Sequence, residues 1–298
     1  MLKRYYPQCP NCNVSRSVSL KYTKLNKFNI YFCRLCQNGF THPVPQNISR
    51  YYHSNYWNSP GMLGKIKQLI FNLFQRRRKK WLLKFLKKGS ILEIGAGEGR
   101  FGKSLGKNFS TTGVEFPNAK IENQKIIKVD YLAWKTKLKF DAIIFWESLE
   151  HVDKPQLYLE KSFKLLEKRG VILIELPRFD SLESRIFKNR WFHLDVPRHL
   201  AHLTDTGIKI LIKRAGFRLL ENKNVYAPEY TVWGFTESVL DVLHIKSTDY
   251  FKKNKFSAFF IILIPLLVTS TLAEIIFATT GESPIGFVAA RKNYVKKG

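Results

Sequence analysis

The stretch "ILEIGAGEGRFGKS", residues 91–104, admits three readings, and the choice among them decides the fold. A short apolar run ends in a glycine-rich turn, the pattern of a buried strand feeding a helix. Residues 97–104 match the phosphate-cradle pattern G-x-x-x-x-G-K-[ST], and Gly97, Gly99 and Gly102 match G-x-G-x-x-G. In a third register an acid sits inside the strand and glycines follow at alternate positions: Glu93, then Gly95, Gly97 and Gly99.

Length argues against the phosphate cradle. There the helix would start near Gly102 and leave residues 103–108 before the next strand. Six helical residues rise about 9 Å, and a parallel crossover usually takes at least about ten to twelve residues. A helix starting at Gly99 or Arg100 gains a turn and puts Phe101 and Leu105 on one face. Lys103 and Ser104 then become ordinary helical residues. A phosphate-cradle enzyme also needs a magnesium-binding aspartate at a strand end, and "IIFWE" and "ILIE" offer glutamates.

The chain beyond this turn alternates. "ILEI", "TTGVE", "QKIIKVD", "FDAIIFW", "GVILIELP", "FRLLENKNVYA" and "SPIGFVAARK" read as seven strands. "KPQLYLEKSFKLLEKRG" and "DTGIKILIKRAG" read as helices ending at glycines. Such alternation implies an α/β fold: a seven-stranded, mostly parallel, Rossmann-like sheet with helices on both faces.

The third register, with "GVE" ending at Glu115, "VD" at Asp130, "FDAIIFWESLEHV" and "LLEKRGVILIELP" in order, resembles class I S-adenosylmethionine (SAM)-dependent methyltransferases over roughly residues 89–222. The resemblance implies roles residue by residue. Gly95, Gly97 and Gly99 let the backbone approach the cofactor. Glu93 holds the cationic amino end of its methionine moiety, Glu115 the ribose hydroxyls and Asp130 the adenine amino group, with Trp146 among the cofactor contacts. In "LEHV", His151 is the nominated general base and Glu150 its neighbour; a structural hydrogen bond is the plain alternative for His151. The loop "WFHLDVPRHLAHL", with His193, Asp195, His199 and His202, is where an acceptor pocket is expected. His-x-x-His there hints at metal, but no third ligand of matching spacing follows.

Cys9, Cys12, Cys33 and Cys36 give C-x2-C-x20-C-x2-C, the spacing of two knuckles closing a tetrahedral zinc site. A closed four-thiolate site has no open position, so a zinc there is expected to be structural; an iron centre, or disulfides or free thiols, are the alternatives. This start, with "YY" and "YW" after it, resembles a methyltransferase group common in bacterial polysaccharide and lipid biosynthesis. Tyr51, Tyr52, Tyr56 and Trp57 are expected either over the cofactor mouth or as linker anchors. No cysteine is left to attack a pyrimidine, and "FWES" stands where adenine amino methyltransferases carry Asn/Asp-Pro-Pro-aromatic.

The chain of 298 residues carries a net charge of +27, which favours anionic partners such as nucleic acid or an acidic membrane surface. Residues 64–88 carry ten Lys or Arg between apolar positions and read as one or two basic amphipathic helices. Eighteen uncharged residues, 256–273, could just span a bilayer, but the last strand must return to the sheet and Pro265 breaks the middle. A helical insertion over about residues 229–280, packed as a lid or dipped into one leaflet, is expected instead. The organisation expected is a zinc ribbon at residues 1–45, an aromatic linker with basic helices at 46–88, and a methyltransferase domain at 89–298. No apolar signal core opens the sequence. The expected setting is therefore cytoplasmic, at the inner face of the membrane, acting on a small-molecule, sugar or lipid intermediate. An RNA methyltransferase and a non-catalytic zinc-ribbon binding protein are the alternatives.

Overall fold

The computed structural model describes residues 6–24, 27–51, 61–119, 121–245 and 256–293. Three strands open it: β1 (Val18–Lys24), β2 (Phe28–Cys33) and β3 (Asn38–His42). Helix α1 (Gly61–Phe85) precedes β4 (Gly89–Ile94), α2 (Arg100–Ser104), β5 (Phe109–Glu115), β6 (Ile127–Lys128) and β7 (Phe140–Trp146). Then come α3 (Pro155–Leu165), β8 (Leu166–Pro177), α4 (Leu182–Phe187), β9 (Ala201–His202), α5 (Asp205–Arg214) and β10 (Phe217–Val225). Helices α6 (Pro228–Val242) and α7 (Phe256–Thr279) precede the last strand, β11 (Ile285–Lys292).

The main sheet has seven strands in the order β10-β11-β8-β7-β4-β5-β6. Strands β6, β5, β4, β7 and β8 run parallel, and β11 lies antiparallel between β8 and β10. The mostly parallel α/β sheet expected from the alternation is therefore present. Its centre is buried on both faces, which is why β7 reads as an unbroken apolar run. Alternate residues sort by face. Leu92, Ile143, Phe145, Ile172 and Ile174 pack with Leu159 of α3 and Leu211 of α5. Ile91, Ala142, Ile144, Leu173 and Phe287 pack with Trp81 and Leu82 of α1 and Phe101 of α2.

Three local expectations change. The helix expected to run to Gly170 stops at Leu165, because Leu166 is buried and pairs with Phe140 at the edge of β7. The register then jumps to Ala142 opposite Val171, so residues 167–169 bulge out, exposed, at the start of β8. The third parallel strand is two residues long rather than seven, as suits a sheet edge. Helix α7 runs on through Pro265 instead of breaking there.

The cysteine-bearing strands are not a separate unit. They form a second sheet, β1-β2-β3-β9, whose last strand comes from the loop after α4. Gly39 pairs with His202 and Phe40 with Ala201. Asn38 accepts from the Thr204 amide at 3.1 Å, and Thr204 Oγ1 donates to the Gln37 carbonyl at 2.5 Å. Helix α1 likewise belongs to the α/β unit, since Trp81 and Leu82 sit in its core. Tyr51 packs edge-on against Phe28, while Tyr52, Tyr56 and Trp57 lie outside the described residues.

Candidate active site

Strand β4 ends in a turn that only glycine makes easily. Gly95, Gly97 and Gly99 have φ of 75°, 51° and 68°, the left-handed region that L side chains rarely adopt. At Gly95 a Cβ would lie 2.5 Å from the Cβ of Ser148, whose hydroxyl donates to the Ile94 carbonyl at 2.7 Å. This clasp joins the ends of β4 and β7. At Gly97 a Cβ would meet nothing within 4 Å, so the backbone there borders open space. Helix α2 begins at Arg100, as the length argument requires, and Phe101 is buried beneath it. Ser104 Oγ donates to the Phe101 carbonyl at 2.7 Å within that helix.

Three acids stand in or just after β4, β5 and β6, which are neighbours in the sheet. Glu93 is buried inside β4, and burial pushes its carboxyl up to about 8. Glu115, at the end of β5, accepts the Gly97 amide at 2.9 Å and the Phe116 amide at 3.0 Å. Burial raises its pKa above the ordinary carboxylate value. Asp130 follows β6, exposed, and accepts from the Leu132 amide at 2.9 Å. The structure thus brings Glu93, Glu115 and the glycine turn together. The Trp146 ring is buried on the α1 side, 5.3 Å from Phe101 and 6.2 Å from Trp81. It supports the turn from below as a core residue.

Beyond β7 the chain makes a left-handed step at Glu147 (φ 54°), then a 3-10 turn over Leu149–His151. Glu150 is 2% exposed, and among the described residues neither carboxylate oxygen has a hydrogen-bond partner. Burial, then the nearby Glu147 carboxylate, raises its pKa well above the usual range. His151 Nδ1 lies 3.1 Å from the Arg198 carbonyl, and the His151 ring packs edge-on against His199 at 4.6 Å. His199 Nδ1 lies 2.8 Å from the His193 carbonyl. Burial holds His151, His193 and His199 down to about 3, so all three are neutral near pH 7. His193 sits against Tyr230 and Gly234 of α6, away from any hydrogen-bond partner for its ring nitrogens. His202 turns away to Thr41 Oγ1 at 2.9 Å, so the His-x-x-His pair does not converge.

Several residues of this region carried no sequence signal. Arg77 and Arg78 of α1 both grip Glu175 at the end of β8, at 2.7 and 2.5 Å. Burial would raise the Glu175 carboxyl, but the two guanidiniums outweigh it and hold it below the ordinary value. Arg77 also contacts Glu229 of α6. Ser148 and Thr41 could be placed only once β4 was beside β7 and β3 beside β9.

The four cysteines converge, with one sulfur of each within 4.8 Å of the others. Cys9 and Cys36 sulfurs are 3.6 Å apart, too far for a disulfide. Tetrahedral zinc with bonds of about 2.3 Å sets its sulfurs about 3.8 Å apart. Each knuckle closes on a left-handed residue, Asn13 at φ 54° and Gln37 at φ 57°. The Arg214 guanidinium donates to Cys12 at 3.2 Å and would offset thiolate charge. The donor set fits a four-thiolate metal.

A family model described as a methyltransferase domain matches residues 66–222. The ubiquinone biosynthesis O-methyltransferase of Pelagibacter ubique (strain HTCC1062) is 30% identical over 128 residues, which cover 39% of this chain and 52% of that protein. The chain thus spans about half the length of the curated relative it matches. Among solved structures, a SAM-dependent methyltransferase from Thermotoga maritima aligns with TM-score 0.48 and 15% identity, over 83% of this chain and 100% of that one. Another from Archaeoglobus fulgidus aligns with TM-score 0.46 and 19% identity, over 74% and 94%.

Proposed function

Because the chain belongs to the SAM-dependent methyltransferase family, we propose that it transfers a methyl group from SAM to a hydroxyl of a small-molecule, sugar or lipid intermediate. The carrying observation is the open space at Gly97, bordered by the Glu115 carboxylate that holds the Gly97 amide. SAM fits there by chemistry. The glycine backbone lies against it, Glu115 keeps lone pairs for the ribose hydroxyls, and ionised Glu93 faces the ammonium end. Asp130 is the acid left for the adenine amino group.

Methyl transfer needs an in-line approach and, for a hydroxyl acceptor, loss of one proton. The acceptor oxygen forms a bond to the methyl carbon while the carbon–sulfur bond breaks and sulfur keeps the electron pair. The cluster of Glu150, His151 and His199 is the place where the hydroxyl is held and its proton removed. Its link to the cofactor turn is Ser148, two residues before Glu150, which packs on Gly95. The O-methyltransferase relative favours oxygen as the acceptor atom. SAM calorimetry on the full chain, followed by product mass spectrometry with hydroxylated lipid and sugar acceptors, tests the reading. Failure to bind SAM removes it.

The four cysteines hold a structural zinc in this reading, and the ribbon it closes supports the acceptor loop through β9. The setting is the cytoplasmic membrane surface, and α7 is the supporting observation. Two of its polar residues face inward: Ser270 meets Thr236 of α6 at 2.9 Å, and Glu274 is buried beside Glu183. Its apolar residues Ile264, Val268, Leu272 and Ile276 are each more than half exposed, in one stripe. An exposed apolar stripe of this length suits a non-aqueous neighbour. Ile262–Thr279 is long and apolar enough to cross a membrane. However, β11 follows immediately and pairs inside the sheet, so α7 lies in one leaflet rather than crossing. Flotation with anionic liposomes tests this; a chain that stays at the bottom of the gradient contradicts it.

A further inference from the structure

We infer that Glu150, His151 and His199 form a second metal centre, distinct from the four cysteines, which binds a divalent first-row cation such as zinc and leaves open positions for an acceptor hydroxyl. One ligand atom from each of the three residues lies within 4.8 Å of the others, close enough to share one ion. The residues come from two loops that the fold fixes together: the Leu200 amide donates to the Glu150 carbonyl at 2.8 Å.

The tautomers follow from the neighbours. Nδ1 of His151 faces the Arg198 carbonyl and Nδ1 of His199 faces the His193 carbonyl. A carbonyl oxygen only accepts, so each Nδ1 carries the hydrogen and each Nε2 carries the lone pair. Metal-binding imidazoles are usually held this way, by a backbone carbonyl or carboxylate behind the ring. Glu150 supplies the independent sign. Its carboxylate is 2% exposed and both oxygens lack a hydrogen-bond partner among the described residues. A buried carboxylate left so is costly unless a cation completes it. Asp195 Oδ2 stands 3.7 Å from His199 Nε2, beyond hydrogen-bond reach, and is held by Arg198 at 2.7 Å. It remains a neighbour of the ion rather than a required ligand.

Two imidazoles and one carboxylate suit zinc, iron or manganese better than calcium or magnesium, and three protein ligands leave room for substrate. A hydroxyl bound at an open position becomes more acidic and loses its proton to water. Its oxygen then takes the methyl group, so one proton and one S-adenosylhomocysteine form per transfer. The ring nitrogens hold the ion in this arrangement and do not themselves take the proton. The chemical role rests on the methyltransferase reading; the metal centre itself does not.

The test uses the tag-free full chain, saturated with zinc, dialysed against zinc-free buffer and assayed by elemental analysis. About two zinc per chain are expected for the parent and about one for Glu150→Gln and for His199→Gln. Thiol reactivity of the four cysteines should stay unchanged and the variants should still melt cooperatively, and His42→Gln, on the exposed end of β3, should keep both ions. About one zinc in the parent, or two retained in Glu150→Gln, overturns the inference. SAM calorimetry on the same samples separates the two readings. A second zinc without SAM binding leaves the metal centre standing and removes the methyltransferase reading, and SAM binding without a second zinc does the reverse.

Discussion

Thr41 Oγ1 donates to the His199 carbonyl at 2.8 Å, so a residue of the cysteine-bearing sheet fixes the backbone of a histidine in the active-site cluster. The same hydroxyl meets His202 Nε2 at 2.9 Å. The cysteine-bearing sheet therefore buttresses the loop proposed to hold the acceptor.

Thr41→Val keeps the shape of the side chain and removes both hydrogen bonds. Leaving the His199 carbonyl and His202 ring without their partner should lower stability by about 1–3 kcal/mol. Loosened positioning of His199 should lower kcat about tenfold or more, with SAM affinity unchanged. Thermal melts and calorimetry on the variant check this; an equal loss of SAM affinity would refute the buttress.

Stripping the four-cysteine site with a strong chelator, or substituting Cys33→Ser, should unravel β1–β3 and release β9. Hydrogen exchange should then speed up at residues 195–204 and methyl transfer should stop. SAM binding at the β4 turn should survive, because β4 pairs with β5 and β7 and not with the ribbon strands.

Gly97→Ala separates space from strain. At φ 51° an alanine costs about 1–2 kcal/mol. Its Cβ meets no protein atom within 4 Å but enters the space assigned to SAM. SAM affinity should fall by more than tenfold while the fold persists. Gly95→Ala, 2.5 Å from Ser148, should instead destabilise the fold itself.

Glu93 gives the pH dependence. Burial raises its carboxyl to about 8, so the free protein holds it protonated at neutral pH. Gripping an ammonium requires the ionised form, and binding must release that proton. SAM affinity should therefore rise with pH by up to about tenfold per unit below 8 and level off above it. Glu93→Gln should bind weakly with a flat profile over this range. A parent affinity that is flat from pH 6 to about 9 would contradict the role.

Val268→Glu and Leu272→Glu alter side chains that are 56% and 57% exposed on α7. Neither should shift the melt by more than about 0.5 kcal/mol. Both should abolish flotation with anionic vesicles.

The sheet was legible because its strands are apolar runs of fixed length punctuated by glycine and proline. The cofactor turn was legible because an acid and three alternate glycines have few other uses. The end of α3 was misread at Gly170, since burial of Leu166 in the sheet outweighs the helical propensity of residues 166–169. The His199 partnership was hidden for a different reason. His151 and His199 are far apart in sequence and meet only because β9 ties their loop to the ribbon, and no spacing rule encodes that contact. The period-two alternation of β7 turns the Trp146 ring to the α1 side.

The most direct test of the central claim is titration calorimetry of the full chain with SAM and, separately, with ATP and magnesium. The account predicts one SAM bound per chain, abolished by Glu115→Ala, and no heat from ATP with magnesium. Binding of ATP with magnesium in place of SAM, sensitive to Lys103→Ala, would contradict it.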